Sequence, residues 1–157
     1  MSEISDHPDC QFLRPIGYVD DSPVVAPLGY RGLHLGNRHA ADDDRHDRSF
    51  AAVVSVSSDS YSLTTHHHPL MDGEGNDWGV FVAAVDAVRR LSRGDGEVLV
   101  NCKAGVSRST AVLATAVAAE RGASFRDGLA VVERARAQAV PHPALVELGV
   151  VYLAAHG

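Results

Sequence analysis

The stretch from Glu97 to Thr110 constrains this chain more than any other. It opens with Val98-Leu99-Val100-Asn101, a short apolar run rich in β-branched residues. It then passes through Cys102-Lys103-Ala104-Gly105-Val106-Ser107-Arg108 into an apolar segment that runs from Ser109 to Gly122. The first part predicts a buried strand and the last a helix, so residues 102 to 108 form the turn between them. A loop feeding a helix N-terminus points unpaired backbone N–H groups into one concavity and adds the positive end of the helix dipole. Such a concavity suits a dianionic oxyanion, and phosphate is the natural guest. Gly105 permits the positive φ that a tight nest of amides can require, and Arg108 offers a planar fork for two oxygens. The same field acts on Cys102. A thiol at a helix N-terminus beside an arginine has its pKa lowered, so the nucleophilic thiolate is present near neutral pH.

The segment Cys102-Lys103-Ala104-Gly105-Val106-Ser107-Arg108-Ser109 resembles the signature loop of the cysteine-dependent protein tyrosine phosphatases, a cysteine, five residues and an arginine. With Ala-Gly-x-Ser-Arg-Ser it resembles the dual-specificity branch. The resemblance implies that Cys102 is the nucleophile and that Lys103, Ala104, Gly105, Val106, Ser107 and Arg108 bind the phosphate. It also implies a proton-donating aspartate about thirty residues before the nucleophile, and Asp72 stands at that distance, nine residues before Phe81. Asp77 is the rival, although its place beside Trp78 suits helix capping better, and the bland reading of Asp72 is an Asp-Gly turn. Ser109 stands where the family hydroxyl bonds to the cysteine sulfur; N-capping of the following helix is its alternative, and both roles can coexist. Lys103, the only lysine, is a candidate contact for a further substrate phosphate or acid. One departure matters: the family usually carries histidine immediately before the nucleophile, where this chain has Asn101. An asparagine amide donates hydrogen bonds but carries no full charge. A difference of one hydrogen bond, about 1 kcal/mol, alters rate or thiolate fraction severalfold without abolishing the chemistry.

Along the chain, residues 1 to 14 are polar and expected to be loose, leaving 15 to 157 as one domain. Pro15, Pro23, Pro27, Gly29, Gly32 and Gly36 break the next stretch into short strands and turns. Leu33-His34-Leu35-Gly36 alternates like an edge strand, and Asn37 to Arg48 reads as a solvated charged segment with a helical turn. Phe50 to Val56 predicts a strand buried on both faces beside 97 to 101. Leu63 to Leu70 reads as extended and carries His66-His67-His68; only His66 and His68 could share a metal, and with no further ligand at a recognised spacing no metal site is expected. A glycine-rich acidic loop then leads, through a cap at Asn76 or Asp77, into a helix from Trp78 to Arg93 with Phe81, Val85, Val88 and Leu91 on its apolar face. Ser124 and Asp127 resemble a capping box for a helix reaching about Ala137, and Pro143 opens a last helix through Leu153. Strands come first and helices cluster late. The expected fold is α/β, a three-layer-like sandwich with a central mixed sheet and most helices on one face, and the resemblance, which spans roughly Leu33 to the C-terminus, implies the same dual-specificity phosphatase-like fold.

Composition limits the partners. The formal net charge is −6, and every basic residue except Lys103 is arginine. An acidic domain is a poor general binder of nucleic acid or anionic membrane, so neither is expected as a partner and any anion must be captured locally. No apolar run reaches membrane-spanning length, the first residues lack a signal peptide, and Cys10 and Cys102 supply no disulfide framework, which together predict a cytoplasmic protein; a monomer is expected, although nothing in these features fixes the oligomeric state. The expected substrate is a phosphorylated protein, with a small or nucleotide-type phosphate ester, or mere phosphate binding, as the alternatives. No cofactor is implied.

Overall fold

A computed structural model describes residues 20 to 156 of the chain; the stretch 1 to 14 and Cys10 lie outside the described residues. The run identified above as a buried strand is β5 (Val98–Asn101), every residue of it buried. It lies at the centre of a five-stranded sheet in the order β1-β2-β5-β3-β4, with β1 at Val25–Pro27, β2 at Leu33–Gly36, β3 at Ala52–Ser55 and β4 at His66–His67. β2, β5, β3 and β4 run parallel, and β1 is antiparallel to β2. The register sets Asn101 opposite Gly36 on one side and Ser55 on the other, so three carboxyl ends finish level and their loops leave at one edge. In open parallel sheets that edge is where ligands bind.

Parallel strands need crossovers, and α1 (Trp78–Ser92) returns the chain from β4 to β5. Asp77 caps α1 by accepting from the Gly79 and Val80 amides at 2.7 and 3.3 Å. After β5 comes α2 (Arg108–Arg121), followed by α3 (Phe125–Ala135) and α4 (Pro143–His156). The apolar residues of α2 are not confined to one stripe, which is the pattern of a helix surrounded by protein. Accordingly Ser109 through Ala118 are all buried, with the sheet on one side and α1, α3 and α4 around the rest. The opposite face of the sheet is covered by the 3-10 helix Arg38–Ala41, whose Ala40 and Ala41 pack on Val53 and Leu99. The result is the expected mixed sheet with most helices on one face. Among the described residues no helix is long and apolar enough to cross a membrane.

Two sequence expectations are corrected. Leu33–Gly36 is not an edge strand but an interior one, between β1 and β5, with all four residues buried. The alternation misleads because the His34 ring is satisfied internally: its Nδ1 meets the Gly32 carbonyl at 2.9 Å and its Nε2 the Arg48 guanidinium at 3.1 Å. The extended stretch 63 to 70 is as expected: it pairs with β3 at His66–His67, and the amides of Thr65, His68 and Leu70 bond to the carbonyls of Val53, Ser55 and Val56. The last-but-one helix also stops slightly early, at Ala135, because Arg136 adopts an extended backbone (φ −142°) that turns its side chain to another task.

Helix packing is tied together by polar contacts at the end of the bundle remote from the strand ends. The buried Tyr152 hydroxyl donates to Asp86 (2.5 Å) and accepts from Arg89 (2.9 Å). Glu120, its side chain only 5% exposed, gathers Arg31, Arg89 and Arg93, and these three cations hold its carboxyl down to about 2 despite the burial. Close approach of α3 to α2 depends on Gly128. A Cβ there would lie 2.1 Å from the Ala114 carbonyl oxygen. A mid-helix Gly→Ala change ordinarily stabilises by about 1 kcal/mol. Gly128→Ala is expected to do the reverse and destabilise by about 2 kcal/mol, because backbone, not a flexible side chain, blocks the methyl; urea unfolding of the two proteins measures the sign.

Candidate active site

The loop from Cys102 to Arg108 is shaped by where its carbonyl groups go. The Lys103 carbonyl accepts the Arg38 amide at 3.0 Å and the Val106 carbonyl accepts the Val140 amide at 2.8 Å. Arg136 holds the two between them, donating from Nε to the Gly105 carbonyl at 2.7 Å and from Nη2 to the Ala104 carbonyl at 3.2 Å. Four successive carbonyls are therefore drawn outward. The corresponding N–H groups of Lys103, Ala104, Gly105 and Ser107 have no protein acceptor among the described residues. Gly105 has φ +68°, and a Cβ on it would lie 2.9 Å from the Gly36 carbonyl oxygen, so the residue is required both by its conformation and by the closeness of β2. The loop runs into the N-terminus of α2, whose dipole adds to the same concavity.

Cys102 is 2% exposed at the floor of this loop. Burial alone would push its thiol up. The Ser109 hydroxyl, the charge of Arg108 and the amides of Ser109 and Val106 outweigh that and hold the pKa below the ordinary thiol value. The Ser109 Oγ lies 3.1 Å from the Cys102 Sγ. The alternative reading of Ser109 as helix cap is not what the structure shows: Ser107 occupies the cap position, without a side-chain cap bond. Arg108 donates from Nη1 to the Leu70 carbonyl at 3.2 Å, which links it to the segment carrying Asp72.

The two candidate aspartates separate cleanly in space. Asp77 is the α1 cap, whereas the Asp72 Oδ1 accepts a 2.5 Å hydrogen bond from the Ser107 hydroxyl, across the loop from Cys102. Ser107 Oγ in turn accepts the His142 amide at 2.8 Å, which fixes the hydroxyl proton toward Asp72. Lys103 is exposed. Asn101 is fully buried beneath the loop. Of the three histidines at 66 to 68, the His66 Nδ1 meets the Thr65 hydroxyl and the His67 Nε2 meets the Ser57 carbonyl. Among the described residues the only group of three or more acids, histidines or cysteines with ligand atoms close enough to share a metal is Asp42, Asp43 and Asp44.

A buried thiol held below its ordinary pKa, an inward set of backbone amides, an arginine and an aspartate thus meet at the strand ends. No protein-family model matches the chain. It is 32% identical over 141 residues to dual specificity protein phosphatase 19 of Mus musculus, an alignment that covers 83% of this chain and 64% of that protein. The solved structure of human DUSP28 matches at 26% identity with a TM-score of 0.71, over 85% of this chain and 97% of that one. The chain is dual-specificity-phosphatase-like. The fold is shared as well with a mouse putative dual specificity phosphatase crystallised with zinc tungstate, at 24% identity and a TM-score of 0.71, over 89% of this chain and 93% of that one. This dual-specificity-phosphatase-like chain spans 64% of the length of the curated relative it matches.

Sequence reasoning missed Arg136, which is 7% exposed and also reaches Asp20 at 3.2 Å. Nothing in its neighbourhood signals the role, because its carbonyl partners lie 31 and 32 residues earlier. Lysine lacks the planar fork that reaches both carbonyls from one group. Arg136→Lys is therefore expected to destabilise the fold by about 1 kcal/mol, measured by urea unfolding against the exposed Arg126→Lys as control; equal stabilities in the two variants would remove Arg136 from the support of the loop.

Proposed function

We propose that the chain is a cysteine-dependent phosphomonoester hydrolase that removes phosphate from phosphotyrosine, and also from phosphoserine or phosphothreonine, in proteins. Residues 15 to 157 form its catalytic domain. The observation that carries this reading is the outward anchoring of the carbonyls from Lys103 to Val106 above the buried Cys102, which leaves amides to receive a phosphoryl group next to a sulfur nucleophile. The two similar dual specificity phosphatases support the substrate class.

In this mechanism the phosphate oxygens sit in the nest of backbone N–H groups, and Arg108 binds two of them with its fork. The Cys102 thiolate attacks phosphorus, forming the S–P bond as the P–O bond to the leaving group breaks. Asp72, in its acid form, gives its proton to the departing oxygen, which leaves as a phenol or alcohol. The resulting carboxylate then takes a proton from an attacking water. The new P–O bond forms, the S–P bond breaks, and the Ser109 hydroxyl stabilises the sulfur that leaves as thiolate. Charge spreads over the equatorial oxygens in each transition state, where the amides and Arg108 are already in place. A reducing compartment such as the cytoplasm keeps the thiol available.

Time courses with para-nitrophenyl phosphate test turnover, and a panel of phosphopeptides, inositol phosphates and nucleotides tests the substrate class; preference for the small phosphates would replace the protein substrate. Cys102→Ser is expected to abolish turnover while vanadate still binds, since the amides remain. Arg108→Lys keeps the charge but loses the bidentate contact and is expected to lower kcat/KM at least about a hundredfold. Near-normal kinetics in either variant would defeat the assigned role.

A further inference from the structure

Asn101 takes the position before the nucleophile and is fully buried, so both ends of its amide must be satisfied. Its Oδ1 accepts from the Ser55 hydroxyl at 2.6 Å, and its Nδ2 faces the Cys102 carbonyl at 3.4 Å. The reverse orientation would set two carbonyl oxygens against each other. Ser55 is itself fully buried, and its one proton is committed to Asn101 because an amide oxygen can only accept. The hydroxyl of Thr64, 2.8 Å from Ser55 Oγ, must then be the donor of that contact. Thr64 Oγ1 in turn accepts the Tyr61 amide at 2.8 Å. Every hydrogen along this row points the same way, from the turn before β4 toward the nucleophile.

The row ends on a peptide group with a second face. The Cys102 carbonyl and the Lys103 N–H belong to one peptide, and a carbonyl that accepts a hydrogen bond makes the N–H of its own peptide a stronger donor. The Lys103 N–H has no acceptor among the described residues and is the first amide of the loop above the thiol. We propose that Tyr61, Thr64, Ser55 and Asn101 form a one-way hydrogen-bond relay that orients the Asn101 amide onto the Cys102 carbonyl and strengthens the first donor of the oxyanion nest. Ser55 and Thr64 are positioning residues in this scheme; they act through Asn101 and touch no substrate. The proposal rests on the phosphatase reading for its consequence in catalysis, but its effect on anion binding and on the thiol stands apart from turnover.

The relay makes a neutral residue do electrostatic work at long range. Asn101 brings no charge, so its influence depends on which way its amide faces, and that is decided 46 residues earlier in sequence, at Ser55. A merely structural Ser55 would affect folding stability alone. A relay must also alter anion affinity and thiol ionisation, in the same direction and in proportion to how close the deleted hydroxyl lies to Asn101.

The test uses the full chain with sodium tungstate as the anion, titrated by calorimetry, and the pH midpoint of Cys102 alkylation by iodoacetamide. Ser55→Ala is expected to weaken tungstate about fivefold and raise the alkylation midpoint, and Thr64→Val to weaken it about threefold with a smaller rise. Thr64→Ser, which restores the hydroxyl, is expected to stay within about twofold of the wild type. Thr64→Val, one hydroxyl replaced by a methyl at a partly buried site, carries the test if Ser55→Ala does not fold. Wild-type affinity and midpoint in the folded hydroxyl-deleted variants, or a Thr64→Ser protein that behaves like Thr64→Val, would overturn the relay. A wild type that binds tungstate yet never hydrolyses para-nitrophenyl phosphate would instead defeat the phosphatase reading and leave the relay standing.

Discussion

A loop of backbone can receive an anion only if its carbonyls are kept away from it, and in this protein that condition governs the rest of the site. Left free, the carbonyls from Lys103 to Val106 would compete with a phosphate for the same concavity. They are instead bound by the Arg38 and Val140 amides and by the Arg136 guanidinium, donors that belong to three different parts of the chain. The 3-10 helix after β2 supplies the first, the segment before α4 the second and the end of α3 the third. The sheet, the bundle and the loop are thus mutually dependent: each of these segments must be placed correctly for the amides to face inward.

The same dependence explains why a helix as deeply buried as α2 carries the loop at its N-terminus. Its buried surroundings leave the N-terminal dipole weakly screened, the condition under which oriented amides act strongly on charge. Burial opposes ionisation of Cys102, and the loop overcomes it through the Ser109 hydroxyl, Arg108 and two amides. Far from the strand ends, the Glu120 cluster secures the turn before β2 to α1 and α2, and Arg89 extends the connection to Tyr152 of α4. Removal of one arginine there would still leave two on the carboxylate, whereas Arg136 has no such substitute at the loop.

Asn101 shows how a departure from the usual loop sequence is accommodated by structure. An amide has two faces of opposite character, and without a partner to choose between them it could place its oxygen toward the Cys102 carbonyl. Ser55 makes that choice, and the parallel register that sets Ser55 beside Asn101 brings the two together.

The strand, loop and α2 were legible in sequence because their signals are local: a β-branched run, a glycine, a cysteine and an arginine in one turn, and apolar residues continuing to Gly122. Asp72 was legible only through resemblance and spacing, and the structure adds that Asp77 caps α1 whereas Asp72 accepts from Ser107 of the loop. Leu33–Gly36 was misjudged because periodicity records polarity and not whether a polar ring such as His34 finds partners inside. Arg136, Ser55 and Thr64 were invisible for a related reason. Their partners are distant in sequence, and a hydrogen bond has no signature until both ends are fixed in space. The sequence by itself determined the strand–loop–helix and the places of Cys102 and Arg108 within it, since backbone preference and residue chemistry act within a few positions. Only the tertiary structure decided which way the loop's amides face and which way the Asn101 amide is turned, because both depend on donors delivered by segments that meet through packing alone.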